Sequence, residues 1–369
     1  MAAALQRKCH LNFGFDNVYP NMYIVLVGPS GSRKGTAMAP GLSLIKNMGI
    51  KVAAESTTRE QLIRSLREST NSVMTGDRLT MHASLTIFSK ELTVFLGYNN
   101  LQLMADLCDW FDCGENWKYE TKHCGVDDIS GVWVNLMGAT TPELLQSTLP
   151  RDAIGGGLTA RMILIFERGK GKTIILPVLT KVEKDLGEKL QRDLEQINMM
   201  TGEFKFTEEW LEAYANWRHS QDKNLPDLDT RFGGYIERRP IHLLKLCMIL
   251  SASRSSSMVI DTADLERANN LLLDTEKRMH LAFSGVGRYK MADVLMNIWT
   301  FIAMRKEVDD RQIMKQFYYD VDKDEMHKML RTLQTMGVIS IGSSGDRMLI
   351  RYVGSKDKES IYGLEKKDG

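Results

Sequence analysis

Residues 22–36 read MYIVLVGPSGSRKGT, and this stretch decides the fold. The run Met22 to Val27 is apolar and β-type. It stops at Gly28, and Pro29, Ser30, Gly31, Ser32, Arg33, Lys34, Gly35 and Thr36 follow before a helix-like segment. Strand, glycine loop and helix in that order make a phosphate-binding loop. Small residues let successive backbone N–H groups converge on a polyphosphate, the helix N-terminus adds its positive end, and Lys34 supplies a point charge. Against the pattern G-x-x-x-x-G-K-[ST], Arg33 stands where glycine is usual and Gly35 where a hydroxyl is usual, with Thr36 one place later to serve a metal. The competing reading is a Gly/Ser turn between a buried strand and a helix. The flanking elements favour the nucleotide.

A second cluster, Gly169-Lys170-Gly171-Lys172-Thr173, follows Phe166 and Glu167 where a loop glycine is required, and it runs into Ile174–Leu176 and Pro177. It reads as a solvated turn. A formal net charge of +1 makes no global demand for a polyanion, so nucleic-acid contact must come from local patches. At 369 residues and 43% hydrophobic content, two or three domains are expected. No apolar run of membrane-spanning length and no apolar signal core are present, so a soluble, cytoplasmic protein without membrane contact is expected. The 5 cysteines, an odd number at irregular spacing, argue against a disulfide framework. Cys108, Cys113, His123 and Cys124 match no usual zinc spacing.

Residues 1–180 alternate β-type runs (22–27, 51–54, 85–88, 131–137, 161–166) with helical segments (36–48, 58–69), which predicts a mostly parallel sheet covered on both faces. Thr57 with Glu60, or Thr58 with Gln61, offers a capping box. Residues 181–284 turn helical over 181–199, 207–221, 238–251 and 262–283, with Asp261 or Thr262 as a cap and a polar loop at 222–234. Residues 288–354 give three helical stretches (291–305, 309–318, 323–336) and then a β-hairpin, the order of a winged helix. Lys323, Lys328 and Arg331 on its third helix suit either duplex contact or a solvated face on a docking module. Residues 355–369 read as a flexible tail.

Further chemistry is spaced along the first region. Leu85–Glu91 resembles a degenerate Walker B strand, with Ser89 or Lys90 where a metal-holding Asp belongs and Glu91 placed to polarise water. The apolar strand ending Gly138-Ala139-Thr140-Thr141 offers Thr140 and Thr141, and more weakly Asn135, as sensors of a γ-phosphate. The stretch Ile154-Gly155-Gly156-Gly157-Leu158-Thr159-Ala160-Arg161 delivers Arg161 at the start of a strand, as an arginine finger requires. Between these, Trp117 and Tyr119 interleave with Lys118 and Lys122. The aromatics suit base stacking and the lysines phosphate tracking; the alternative is that the aromatics pack on the core.

Taken together, the glycine loop, the S-x-E strand end, GATTPE, GGGLTAR before a strand and the RRPIHLLKL helix resemble the replication-associated ATPases of phages and prophages. The order is similar to that of AAA+ hexameric helicases of the minichromosome-maintenance type. The resemblance implies an α/β fold: an AAA+ P-loop ATPase core, a helical lid and a C-terminal winged helix. It implies ATP and Mg²⁺ as cofactors, a homo-hexameric ring with single-stranded DNA in its pore, and a primase as a further partner. Carried over, Gly28 and Ser30 to Gly35 cradle phosphate, Lys34 and Thr36 hold phosphate and Mg²⁺, and Glu91 positions water at the metal. Thr140 senses, Arg161 is a finger for the neighbouring subunit, and Arg238 or Arg239 is sensor 2. The degenerate Walker B strand keeps a non-motor ATP switch open as an alternative. The Lys34-Gly35-Thr36 ending, which resembles the adenylate kinase loop, keeps a phosphotransferase open.

Overall fold

The computed structural model describes residues 1–75, 78–121, 125–149, 156–169, 178–221, 230–283, 292–344 and 347–353. The chain forms two compact units, Met1–Gly285 and Val286–Gly369. The expected core and helical lid therefore belong to one unit. Residues 170–173 of the second glycine/lysine cluster, Ile154 and Gly155, most of the 222–234 loop, His123 and Cys124, and the 355–369 tail lie outside the described residues.

The first unit is mixed α/β, built on a five-stranded sheet in the order Thr70–Thr75, Arg78–Ser89, Val132–Thr140, Tyr23–Val27, Met162–Phe166. The last four strands are mutually parallel, and Thr70–Thr75 pairs antiparallel at one edge. Val132–Thr140 is buried at eight positions of nine, as a strand covered on both faces should be. Val27 pairs with both Thr140 and Phe166, so the segments leaving these three strands emerge together on one edge. The expected strand at 51–54 is a single bridge, Val52 to Thr86. Polar Glu55, Ser56 and Thr57 follow at once and offer no apolar run to extend it.

The helix after the glycine loop spans Lys34–Asn47. The next, Arg59–Arg67, is capped by Thr58, whose hydroxyl accepts from the Gln61 N–H. Two elements went unforeseen. One is the hairpin that Thr70–Thr75 makes with Arg78–Ser89. The other is a four-stranded sheet, Val259–Ile260, Gly202–Phe206, Cys9–Phe13, Asp16–Val18, assembled from strands far apart in the chain. Glu208–Gln221 and Gly233–Arg254 pack on it, Phe206 stacking on Trp210, while Thr262–Met279 packs on those two helices and Lys181–Met199 on Ala2–Leu5. Asp261 caps Thr262–Met279 in a reciprocal box with Asp264.

In the second unit, helix Ala292–Arg305, strand Glu307–Asp309 and helices Asp310–Phe317 and Lys323–Thr335 precede the hairpin Ile339–Ser344 and Arg347–Tyr352. The short strand pairs with the hairpin to make three strands. Ile298, Ile302, Ile313, Leu330 and Ile350 form its core. The helix Lys323–Thr335 opens on acids: Asp322 caps it, and Asp324 and Glu325 fill its first turn. Among the described residues no helix is long and apolar enough to cross a membrane.

Candidate functional site

The glycine loop sits where Tyr23–Val27 ends, stitched to the neighbouring strand by the Gly28 N–H donating to the Thr140 carbonyl at 3.3 Å. A Cβ at residue 28 would stand 2.6 Å from the Glu167 carbonyl oxygen, so glycine is required there by the approach of the adjacent strand. Gly31 and Arg33 are left-handed, at φ 76° and 63°. Arg33 is the N-cap of the helix that Lys34 begins. A left-handed non-glycine residue costs about 1–2 kcal/mol, which is why glycine is usual at this place in the pattern. The Lys34 ammonium turns back into the loop and donates to the carbonyls of Gly28 (2.8 Å) and Pro29 (3.0 Å) and to Ser32 Oγ (3.3 Å). Partial burial lowers its pKa, and the charges of Glu91 and Glu143 oppose that shift.

Those two carboxylates mark the rest of the site. Glu91 is exposed at the N-cap position of the short helix Leu92–Leu96, after the strand Arg78–Ser89, and its side chain makes no capping bond. Glu143, absent from the expected set, lies in the first turn of Pro142–Thr148, the helix leaving the Thr140 strand. Its signal was available: an acid directly after Thr-Pro at a helix start. Thr140 is buried beside Gly28. Thr141 is committed to capping, its hydroxyl accepting from the Leu144 N–H. Asn135 accepts from the Met22 N–H at 2.9 Å and ties two strands together, so it is not a sensor.

The metal side departs from expectation. Gly35 replaces the hydroxyl, and a Cβ there would meet the side chain of Lys90, 3.7 Å from Cδ. Thr36 is exposed on the helix surface. Among the described residues no three His, Cys, Asp or Glu side chains cluster to hold a metal ion. A glycine and a lysine stand where a hydroxyl and a carboxylate hold Mg²⁺ in the usual arrangement, so the usual donor pair does not fit that ion here, and the exposed Glu91, next after Lys90, is the carboxylate left at the strand end.

Arg161, expected as a finger for the neighbouring subunit, and Arg238 and Arg239, expected as sensor 2, are all held by carboxylates of this chain. Tyr23 pairs with Met162 and Val27 with Phe166, so Arg161 stands at the opposite edge of the sheet from Gly28. At ~3.3 Å per residue, the five-residue strand separates the two edges by roughly 16 Å. Arg161 is buried, pairs with Asp112 and donates to the Gly157 carbonyl at 2.9 Å. In this chain the guanidinium is held by Asp112 and does not project. Arg238 binds the same Asp112 at 3.2 Å, which removes it from the chain's own glycine loop. Arg239, 2% exposed, is paired at 2.5 Å with Glu276, equally buried, so its guanidinium is committed within the helical packing.

The expected pore segment is a hairpin, Asn116–Thr121 with Gly125–Ser130. Strand alternation sorts its side chains onto two faces. Trp117 turns inward against Trp110, ring centroids 5.4 Å apart, and the Arg59 guanidinium covers Tyr119 at 4.7 Å. Both aromatics are half-buried and held by neighbours, Trp117 by Trp110 and Tyr119 by Arg59. Lys118 is exposed, 3.1 Å from Asp128 directly across the ladder, and Glu120 shares its face. Lys122 lies outside the described residues.

No protein-family model matches the chain, and no curated protein matches it. The functional reading therefore rests on the site's own chemistry.

Proposed function

We propose that this chain is a P-loop ATPase of AAA+ type, working as a ring-forming DNA helicase or translocase of phage-type replication with a winged-helix unit at its C-terminal end. The observation that carries the nucleotide reading is Lys34, at the first position of a helix and bonded to the carbonyls of Gly28 and Pro29. It lies on the edge where Tyr23–Val27 and Val132–Thr140 end together. An incoming polyphosphate would take the ammonium from those carbonyls, while the loop N–H groups and helix N-terminus bind its oxygens. The charges of Glu91 and Glu143 both act on Lys34, and the Thr140 carbonyl accepts from the loop's first glycine. The strand order, with the glycine-loop strand between the Thr140 strand and Met162–Phe166, supports the AAA+ assignment. The three helices and three-stranded sheet of the second unit support the winged helix.

A second reading, an ATP-binding switch without sustained turnover, is favoured by Lys90 in place of an acid and by the inward packing of Trp117 and Tyr119. Measuring ATP binding and hydrolysis, with and without single-stranded DNA, separates the two. Stimulated hydrolysis supports the motor, and binding without turnover supports the switch. Lys34→Ala should abolish binding while the protein stays folded. Full hydrolysis by that variant would exclude the P-loop assignment.

A further inference from the structure

The two departures from the usual loop chemistry meet in space. Gly35 lies in the first turn of the helix Lys34–Asn47, and Lys90 lies at the end of the strand Arg78–Ser89. A Cβ at Gly35 would stand 3.7 Å from Lys90 Cδ and 3.8 Å from Cγ, ordinary van der Waals separations, so the lysine stem runs along the glycine. This is the place where a hydroxyl from the helix and a carboxylate from the strand end otherwise face each other across a divalent cation. Here the hydroxyl is missing and the carboxylate has become a cation.

The Lys90 ammonium is half exposed and stands 3.7 Å from Glu55, which is itself largely exposed. Exposed pairs of this kind are worth at most about 1 kcal/mol, so the long side chain can leave Glu55 for a stronger anion. Lys34 is already bonded inside the loop and has Glu91 and Glu143 to balance its charge. The mouth of the loop thus carries two ammonium groups on two different elements. A Mg²⁺ ion keeps several waters and needs one or two carboxylates in addition to phosphate; next to Lys90 it would meet like charge where the strand-end ligand usually stands, and Glu91 and Glu143 already balance Lys34.

We propose that Lys90 takes the place of the metal, so that the site binds a nucleoside triphosphate as the free polyanion and not as its magnesium complex. The inference rests on the P-loop reading and adds to it the ionic form of the ligand. Gly35 is then the residue that makes room for the lysine stem, and the two substitutions form one device.

The test is calorimetric titration of the whole chain with ATP, once with Mg²⁺ and once with excess EDTA. Wild type should bind in EDTA at least as tightly as with Mg²⁺. Lys90→Ala should weaken binding in EDTA by about tenfold or more, the scale of one hydrogen bond to a charged group, and Lys90→Arg should retain it. The double variant Gly35→Ser with Lys90→Asp should reverse the preference and bind only with Mg²⁺. The proposal is overturned if wild type requires Mg²⁺, or if Lys90→Ala binds in EDTA as wild type does. Absence of ATP binding in both buffers would overturn the nucleotide reading and this inference with it, a result distinct from binding with Mg²⁺ alone.

Discussion

The Lys34 ammonium and the Gly28 carbonyl oxygen lie 2.8 Å apart, six residues from each other in sequence, and close the glycine loop on itself. A loop held in this way is preformed, and its charge is held ready in a contact that a phosphate oxygen outcompetes. The arrangement depends on the turn at Arg33, which reverses the chain so that Lys34 opens the helix.

Replacing that turn residue should stabilise the protein. Arg33 pays for a left-handed φ of 63° that glycine adopts freely. Arg33→Gly should raise the stability of the first unit by about 1 kcal/mol, read as a higher urea midpoint at unchanged slope. An unchanged or lower midpoint would show that the Arg33 side chain earns back its backbone strain through contacts of its own.

Acid should destabilise the fold through two histidines. Burial pushes both His82 and His242 down to about 4 from an ordinary 6.5. Between those values the unfolded chain holds a proton on each that the native protein does not, so stability rises with pH across the window and is lost as pH falls through it. At about 1.4 kcal/mol per pKa unit, each contributes up to roughly 3 kcal/mol. Urea midpoints at pH 4, 5, 6 and 7 should therefore climb. His242→Gln keeps a donor for the Ala160 carbonyl and should flatten the climb. An equally steep profile in that variant would remove His242 from the account.

The hairpin Asn116–Thr121 and Gly125–Ser130 offers a direct contrast between grip and packing. Trp117→Ala removes a ring packed on Trp110 and should cost about 2–4 kcal/mol of stability. Lys118→Ala removes an exposed partner of Asp128 and should change stability by under about 1 kcal/mol. If the hairpin holds DNA, the lysine variant should lower single-stranded DNA affinity and flatten its salt dependence by about one ion. Equal affinity for wild type and Lys118→Ala would direct attention away from this face.

How far the sequence discloses the molecule follows from how local each signal is. The strand, loop and helix from Tyr23 to Asn47 are legible because turn residues, apolar run and helix start are contiguous. The same holds for the Asp261 cap and for the element order of the second unit. The hairpin at 70–89 hides because its exposed face carries Met74, Leu79 and Met81, which blurs the alternation that marks a half-buried strand. Arg161 looks like a free finger until Asp112, 49 positions away, is folded against it. Lys90 and Gly35 each look like a defect in a motif, and their contact is visible only once strand end and helix start are brought together.

The small sheet at the chain's beginning has a consequence for biosynthesis. Cys9–Phe13 pairs in parallel with Gly202–Phe206, and the Cys9 thiol donates to the Met200 carbonyl, 191 positions along. At ~5–20 residues per second, a ribosome needs roughly 10–40 s to supply that partner after the first strand has been made. Throughout that interval the edge of Cys9–Phe13 that Gly202–Phe206 later covers has no strand partner, while its other edge pairs with Asp16–Val18 at Leu11 to Phe13. The nascent chain thus carries an unpaired strand edge until Gly202–Phe206 is made, and Val259–Ile260 completes the same sheet later still.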